Sequence, residues 1–194
     1  MNSNVYVLNT KSTNFATRLF SDWNDDFSTE VSMSYKNTEV NSLTNSSLAE
    51  VNIASENGDI VFGTDAFRHA NKAETETLRL NFDANYLIGD HSINFGYHYE
   101  NLNLFNLFAE SSLGVWSFDD ARFDGTSGLE DFANRVPDDF RGRGFVYKNA
   151  FTNNANDTAY DVTRETHVFY VENNWTVSDV LDVSFGVRYE YCCG

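Results

Sequence analysis

At 194 residues the chain is long enough for one domain with a sizeable core, and no break in composition asks for two. Its formal charge is −16, with 13 Lys and Arg spread along the chain against 29 Asp and Glu, which argues against phosphate binding and so against a nucleic-acid partner. No window approaches the roughly eighteen consecutive apolar residues of a membrane helix, so that mode of crossing is excluded.

In chain order, residues 5–8 form a short extended run without a clear partner. Alternation begins at Asn14: Phe15, Thr17, Leu19 and Trp23 fall on one face, Arg18 and Asp22 on the other. Period two is the mark of a pleated strand with two unlike faces. Asn24, Asp25 and Asp26 make a tight polar turn. Beyond it Phe27, Thr29, Val31, Met33 and Tyr35 alternate with Ser28, Glu30, Ser32, Ser34 and Lys36, so strands at about 14–23 and 27–36 form a hairpin. Residues 37–72 change character to Asn, Ser and Thr. Short apolar pieces at 51–53 and 60–62 flank a turn at 56–59, and the stretch reads as a long excursion with its own small hairpin.

A second hairpin follows at 76–87 and 92–108, turning at Gly89 and Asp90. Leu78, Leu80, Phe82, Ala84 and Tyr86 oppose Arg79, Asn81, Asp83 and Asn85; Ile93, Phe95, Tyr97 and Tyr99 then oppose Asn94, Gly96, His98 and Glu100. A phase slip of the apolar residues near Asn101 predicts a β-bulge. Residues 109–163 are a second excursion, rich in Asp, Gly and Asn, with the only proline, Pro137. The last hairpin joins 166–175 to 180–191 across 176–179. There Leu181, Val183, Phe185, Val187 and Tyr189 alternate with Asp182, Ser184, Gly186, Arg188 and Glu190.

The connections between these strands alternate short and long. In a meander this collects every short turn at one end and every long loop at the other, and strands of about ten residues suffice to cross hydrocarbon at a tilt. Aromatics make up 15% of a chain that is only 41% hydrophobic. A barrel shows that balance, spending aromatics at its interfaces and polar residues on its lumen. Trp23 and Trp175 each close a strand before a short turn, and Tyr86 stands near the third. The predicted fold class is all-β: an antiparallel up-and-down meander forming a partial transmembrane β-barrel over 1–194. The competing reading is a soluble or surface-exposed β-sandwich for adhesion or glycan binding, which also alternates but turns at regular spacing.

Several runs in order carry a resemblance: G-T-D-A-F-R-H-A-N, then L-I-G-D-H-S-I-N-F-G-Y-H-Y-E, then L-N-L-F-N-L-F-A-E-S-S-L-G-V-W-S-F-D-D with L-E-D-F-A-N after it. The closing run is F-Y-V-E-N-N-W-T-V-S-D-V-L-D-V-S-F-G-V-R-Y-E. Together, over residues 60–190, they resemble the β-barrel of TonB-dependent outer-membrane receptors, and within these the Oar-like subset. The resemblance implies a barrel of about 22 strands closed by a plug, set in the outer membrane of a Gram-negative cell. It further implies energy-coupled uptake of a bulky ligand such as a siderophore, glycan or peptide. Its partners would be the outer-membrane lipid, the extracellular ligand and a TonB-type energy-coupling protein that acts through the plug. No plug, TonB box, terminal aromatic strand or signal peptide is visible, so the chain is expected to be a piece of the barrel.

Phe67, Arg68, His69 and Trp116 are the candidate ligand contacts at the loop rim, with a structural loop anchor as the competing role of the Phe-Arg-His triplet. His91, His98 and His167 have no paired spacing, and the adjacent Cys192 and Cys193 lack any C-x-x-C or His companion, so no metal site and no cofactor is read. Asp119, Asp120, Asp124, Glu130, Asp131, Asp138 and Asp139 lack the spacing of a calcium loop and read as a solvated acidic loop. Asp119-Asp120 and Asp138-Asp139 raise the question of paired carboxylates for glycoside hydrolysis, but nothing else supports catalysis, and no enzyme is expected. Arg141-Gly142-Arg143-Gly144 reads as a basic turn. Arg79, Asp83, Arg188 and Glu190 on the polar faces are expected to pair across strands inside a lumen.

Overall fold

The computed structural model describes residues 3–119, 125–137 and 144–194. The chain forms β1 (Tyr6–Asn24), β2 (Phe27–Thr44), β3 (Glu50–Ile53), β4 (Ile60–Phe62), β5 (Asn71–Ile88), β6 (His91–Phe108), β7 (Val115–Phe118), α1 (Gly128–Asn134), β8 (Phe145–Val146), β9 (Tyr160–Ser178) and β10 (Leu181–Cys193). The six long strands make one sheet in the order β1-β2-β5-β6-β9-β10, so each pairs with the next long strand in the chain. In the last pair, antiparallel like the rest of this sheet, Val187 faces Val171 and Tyr189 faces Phe169. The sheet is open, with β1 and β10 as its edges.

The strands run further than their alternation predicts. Residues 6–8, expected to stand alone, belong to β1, and 37–44, expected in the first excursion, extend β2. Asn37, Thr38 and Glu39 are polar on both faces, so the hydrophobic period fades there while the backbone ladder, which must satisfy its own N–H and C=O groups, continues. The excursions shorten to 45–70 and 109–159. β6 passes Asn101 as one strand.

Two compact units divide the chain. One comprises Ser12–Thr38, Glu74–Leu104 and Asp161–Gly194. Its three short turns are held by local and neighbouring bonds: Asn24 Oδ1 accepts the Asp26 N–H at 2.9 Å. The two-residue turn at Gly89 and Asp90 uses φ +55° at Gly89, the left-handed region that tight hairpins place on glycine. The Leu87 N–H donates to Asp26 O at 2.7 Å and the Thr176 N–H to Asp90 O at 2.9 Å. Among its apolar residues only Ala84 and Val168 are buried, so neither face of this part of the sheet is a dry core.

The other unit comprises Met1–Lys11, Glu39–Ala73 and Phe105–Tyr160. It holds the small hairpin expected within the first excursion, β3 paired antiparallel to β4. β3 also pairs in parallel with β7, which pairs with β8. Ile53 and Phe118, opposite each other on β3 and β7, are buried. Phe132 of α1 packs edge-on against Phe118 and Phe62, with ring centroids at 5.3 and 5.9 Å. Ser127 caps the helix by accepting the Glu130 N–H. Gly63, at φ +92°, lies so close to Ala49 that a Cβ would stand 1.9 Å from its carbonyl oxygen.

Candidate functional site

The sheet of the first unit presents two unlike faces. One is apolar and open: Leu19, Val31, Leu80, Phe169, Phe185 and Val187 are all exposed. Toward the turns it ends in aromatics. Trp23 donates its indole N–H to Thr29 Oγ1 at 3.0 Å, Phe27 meets Tyr86 edge-on at 6.2 Å, and His91 stacks on Trp175 at 5.3 Å. At its other end His167 lies among Tyr97, Tyr99 and Tyr191, with centroids at 6.2, 5.2 and 6.3 Å. Trp175 and His167 are separated along β9 by roughly 26 Å at the usual rise per residue. Tilted by the usual ~35–45°, that stretch spans about 20 Å of height, a little less than the roughly 25 Å apolar band between the aromatic girdles of an outer-membrane barrel.

The opposite face is polar and cross-linked. Arg79 Nε donates to Glu100 Oε2 at 2.7 Å, and Arg164 reaches the other oxygen of Glu100 at 3.1 Å. Asp83 Oδ1 accepts from the Tyr170 hydroxyl at 2.5 Å and lies 2.7 Å from His98 Nε2. Asn81 donates to Ser32 Oγ, Asn85 to Ser92 Oγ and Asn94 Oδ1, and Arg18 pairs with Glu30. Gly96 permits the Tyr170–Asp83 contact, because a Cβ there would stand 2.6 Å from Tyr170 Cε1 and 2.7 Å from Asp83 Oδ1. The expected pairing across strands holds for Arg79 and Asp83. Arg188 instead pairs with Glu190 along its own strand at 3.2 Å. A cavity of about 330 Å³ opens on this face, lined by Arg79, Glu100, Arg164, Arg188 and Glu190 among others. Such a surface suits water and polar solutes, as the apolar one suits hydrocarbon.

Phe67 and Arg68 stand in one short 3-10 turn capped by Asp65, whose carboxylate accepts the Phe67 N–H. Phe67 is exposed. Arg68 lies over the Tyr6 ring at 4.6 Å and donates to its hydroxyl at 3.4 Å. Both nitrogens of the adjacent His69 are engaged: Nδ1 accepts the Leu113 N–H at 2.9 Å, which leaves Nε2 to donate to Thr64 O at 3.0 Å. These contacts give Arg68 and His69 anchoring work. Trp116 is elsewhere, on β7, with its ring 4.2 Å from Phe145, which stacks in turn on Tyr147 at 6.4 Å. Phe145 and Tyr147 gave no sequence signal, lying outside any alternating run; the Trp116–Phe145 contact depends on the β7–β8 register.

Of the acidic loop residues, Asp131 is buried in α1, with Oδ1 accepting from Thr126 and Oδ2 without a hydrogen-bond partner, so it does not belong to a solvated cluster. Asp119 and Glu130 are described as well. Asp120, Asp124, Asp138 and Asp139 lie outside the described residues, as do Arg141, Gly142 and Arg143. Outside the stretch that would cross hydrocarbon, Asn41 and then Lys72 hold the Glu39 carboxyl below the usual carboxylate range.

A family model described as "Outer membrane beta barrel domain" matches residues 2–193. No curated protein matches the chain. Its fold is similar to that of the outer membrane transporter YddB from Escherichia coli, with TM-score 0.56 and 8% identity. The likeness covers 96% of this chain and 22% of that one, so the chain spans less than a quarter of the transporter's length.

Proposed function

The chain belongs to the outer membrane β-barrel domain family, and from that premise we propose that it is wall and loop of a TonB-dependent receptor, of the Oar-like kind, that takes up a bulky ligand at the expense of energy supplied from the inner membrane. Its place is the outer membrane. The carrying observation is the two-faced sheet: an exposed apolar face between two aromatic belts, backed by a hydrogen-bonded polar face. A sandwich would need a second sheet over the apolar face, yet its large side chains stand open. The fold likeness to a transporter supports the same reading at the level of architecture.

In this reading the polar face lines the lumen, where fixed Arg, Glu, Asp and Asn side chains present hydrogen-bonding groups to the plug and the passing solute. The excursions at 45–70 and 109–159 meet the ligand, with Phe67 and Trp116 as its aromatic contacts, and the role is not enzymatic. The TonB-type partner, pulling on the plug, delivers that energy.

The test compares a strain deleted for the gene with its parent in uptake of ferric siderophores, oligosaccharides and peptides, each with and without a protonophore. Loss of one uptake that the protonophore also abolishes in the parent supports the proposal. Full protonophore-sensitive uptake of all three classes in the deleted strain overturns it.

A further inference from the structure

We propose that Glu165, His167 and Cys193 form a binding site for a borderline divalent transition metal ion of the Zn²⁺ type on the outward face of the β9–β10 ribbon. The antiparallel register sets Cys193 directly opposite Glu165 and Tyr191 opposite His167. Side chains two apart on a strand share a face, so the three groups converge. One ring nitrogen of His167, Cys193 Sγ and a Glu165 carboxylate oxygen lie within 4.8 Å of one another. All three residues are half-buried.

The surrounding bonds leave the ligating atoms open. The Tyr97 hydroxyl lies 2.8 Å from His167 Nδ1, which leaves Nε2 as the ring nitrogen for an ion. Tyr99 and Asn101 both donate to Glu165 Oε1, at 3.1 and 3.2 Å, and leave Oε2 available. This is how metal sites are oriented: each ligand is held by a neighbour through the atom that does not bind the ion. Cys193 is a free thiol. Its neighbour Cys192 points to the other face, where its sulfur lies 3.6 Å from Thr166 Oγ1. The vicinal pair is thereby split, and one thiol is assigned to the site.

The donor set selects the ion. A thiolate, an imidazole and a carboxylate make a mixed S, N, O set that suits Zn²⁺ and its analogues in a tetrahedral site, with the fourth position left to water. Ca²⁺ and Mg²⁺ require oxygen ligands. On binding, Cys193 releases its thiol proton to solvent as the sulfur–metal bond forms.

Co²⁺ titration of the full tag-free chain in detergent micelles tests the site, because thiolate-to-cobalt absorption reports sulfur ligation. The expected result is saturation at one ion per chain, displacement by Zn²⁺, and loss of the band in Cys193→Ser and in His167→Ala. Cys192→Ser keeps the band, and Tyr97→Phe weakens binding roughly 10–100-fold. Alkylation of the unmutated chain gives an answer independent of how any variant folds: Zn²⁺ protects Cys193 and leaves Cys192 reactive. Absence of a thiolate band, persistence of the band in Cys193→Ser, or equal alkylation of Cys193 with and without Zn²⁺ overturns the proposal.

Discussion

The sheet unit and the loop unit bury their apolar residues against different surroundings. In the loop unit Ile53, Ala109 and Phe118 are closed off, with α1 laid over part of the small sheet, as in any water-soluble fold. In the sheet unit Phe185 and Val187 are 59% and 72% exposed, and the same is true in kind on all six long strands. One chain therefore carries a dry core in one part and none in the other. The lesson is that its modest hydrophobic content is no sign of a weak core. Those residues are set on a face whose solvent is lipid, where burial on folding is not what drives assembly.

Truncation should separate the two units most strongly. Phe118→Ala removes a buried ring from between β3 and α1 and should cost the loop unit about 3–5 kcal/mol, read as faster amide exchange in β3, β7 and α1 while exchange in β9 stays slow. The same change at Phe185 opens no cavity and should leave exchange near that of the unmutated chain. Equal responses at the two sites would erase the distinction.

Charge reverses the ranking. Val171 lies on β9 between Trp175 and His167, near the middle of the apolar band, so Val171→Arg should cost about 2–4 kcal/mol in lipid or micelles. Phe67→Arg, on an exposed turn of the loop unit, should stay within about 0.5 kcal/mol. Urea unfolding in micelles measures both. A neutral Val171→Arg would mean that this face meets water. Without detergent the unmutated chain should aggregate, because its apolar face and both sheet edges are then uncovered.

How much of this was legible in the sequence follows from the same division. The hairpins showed plainly because one face is apolar and the other polar: Leu78, Leu80 and Phe82 against Arg79, Asn81 and Asp83. The strand continuations through 9–13 and 37–39 are hidden, since a segment polar on both faces has no hydrophobic period even when its ladder is complete. The excursions also concealed the β3–β7 pairing, a parallel contact between segments more than sixty positions apart in the numbering. Trp116 stands out as a residue, but its neighbour Phe145, and Tyr147 stacked beyond it, depend on that pairing network. Glu165, His167 and Cys193 escaped for a related reason. Spacing along the chain does not show them, because the register of a long hairpin brings them together across it.

A smaller effect tests the polar face. Gly96→Ala should cost about 1–3 kcal/mol, the usual range for overpacking, because the new methyl meets the Phe82 carbonyl oxygen as well as Tyr170 and Asp83. Ala at Gly58, where a Cβ meets nothing within 4 Å, contrasts the two kinds of glycine: its φ of +116° leaves backbone strain as the only cost.

The smallest effect compares one lost hydroxyl in each unit. Thr64 is 1% exposed, and its Oγ1 donates to Ser46 O at 2.6 Å. Thr64→Val keeps the shape and leaves Ser46 O with only the longer bond from Thr44 Oγ1, at 3.1 Å, so about 1.5 kcal/mol should be lost, the upper end of the range for one hydrogen bond. Tyr170→Phe also deletes a hydroxyl, the one that donates to Asp83 Oδ1 at 2.5 Å, but leaves the ring in place over Gly96. Asp83 is only partly buried and keeps His98 as a partner, so water can take the vacated position. The expected loss is about 1 kcal/mol or less, the range of a solvent-replaceable bond. Denaturant midpoints of the two variants in one micelle system decide the matter. If Tyr170→Phe proves as costly as Thr64→Val, the polar face is dry, and its network stabilises the fold as the loop core does. If it is cheaper, the face is wet, as the lining of a solute path must be.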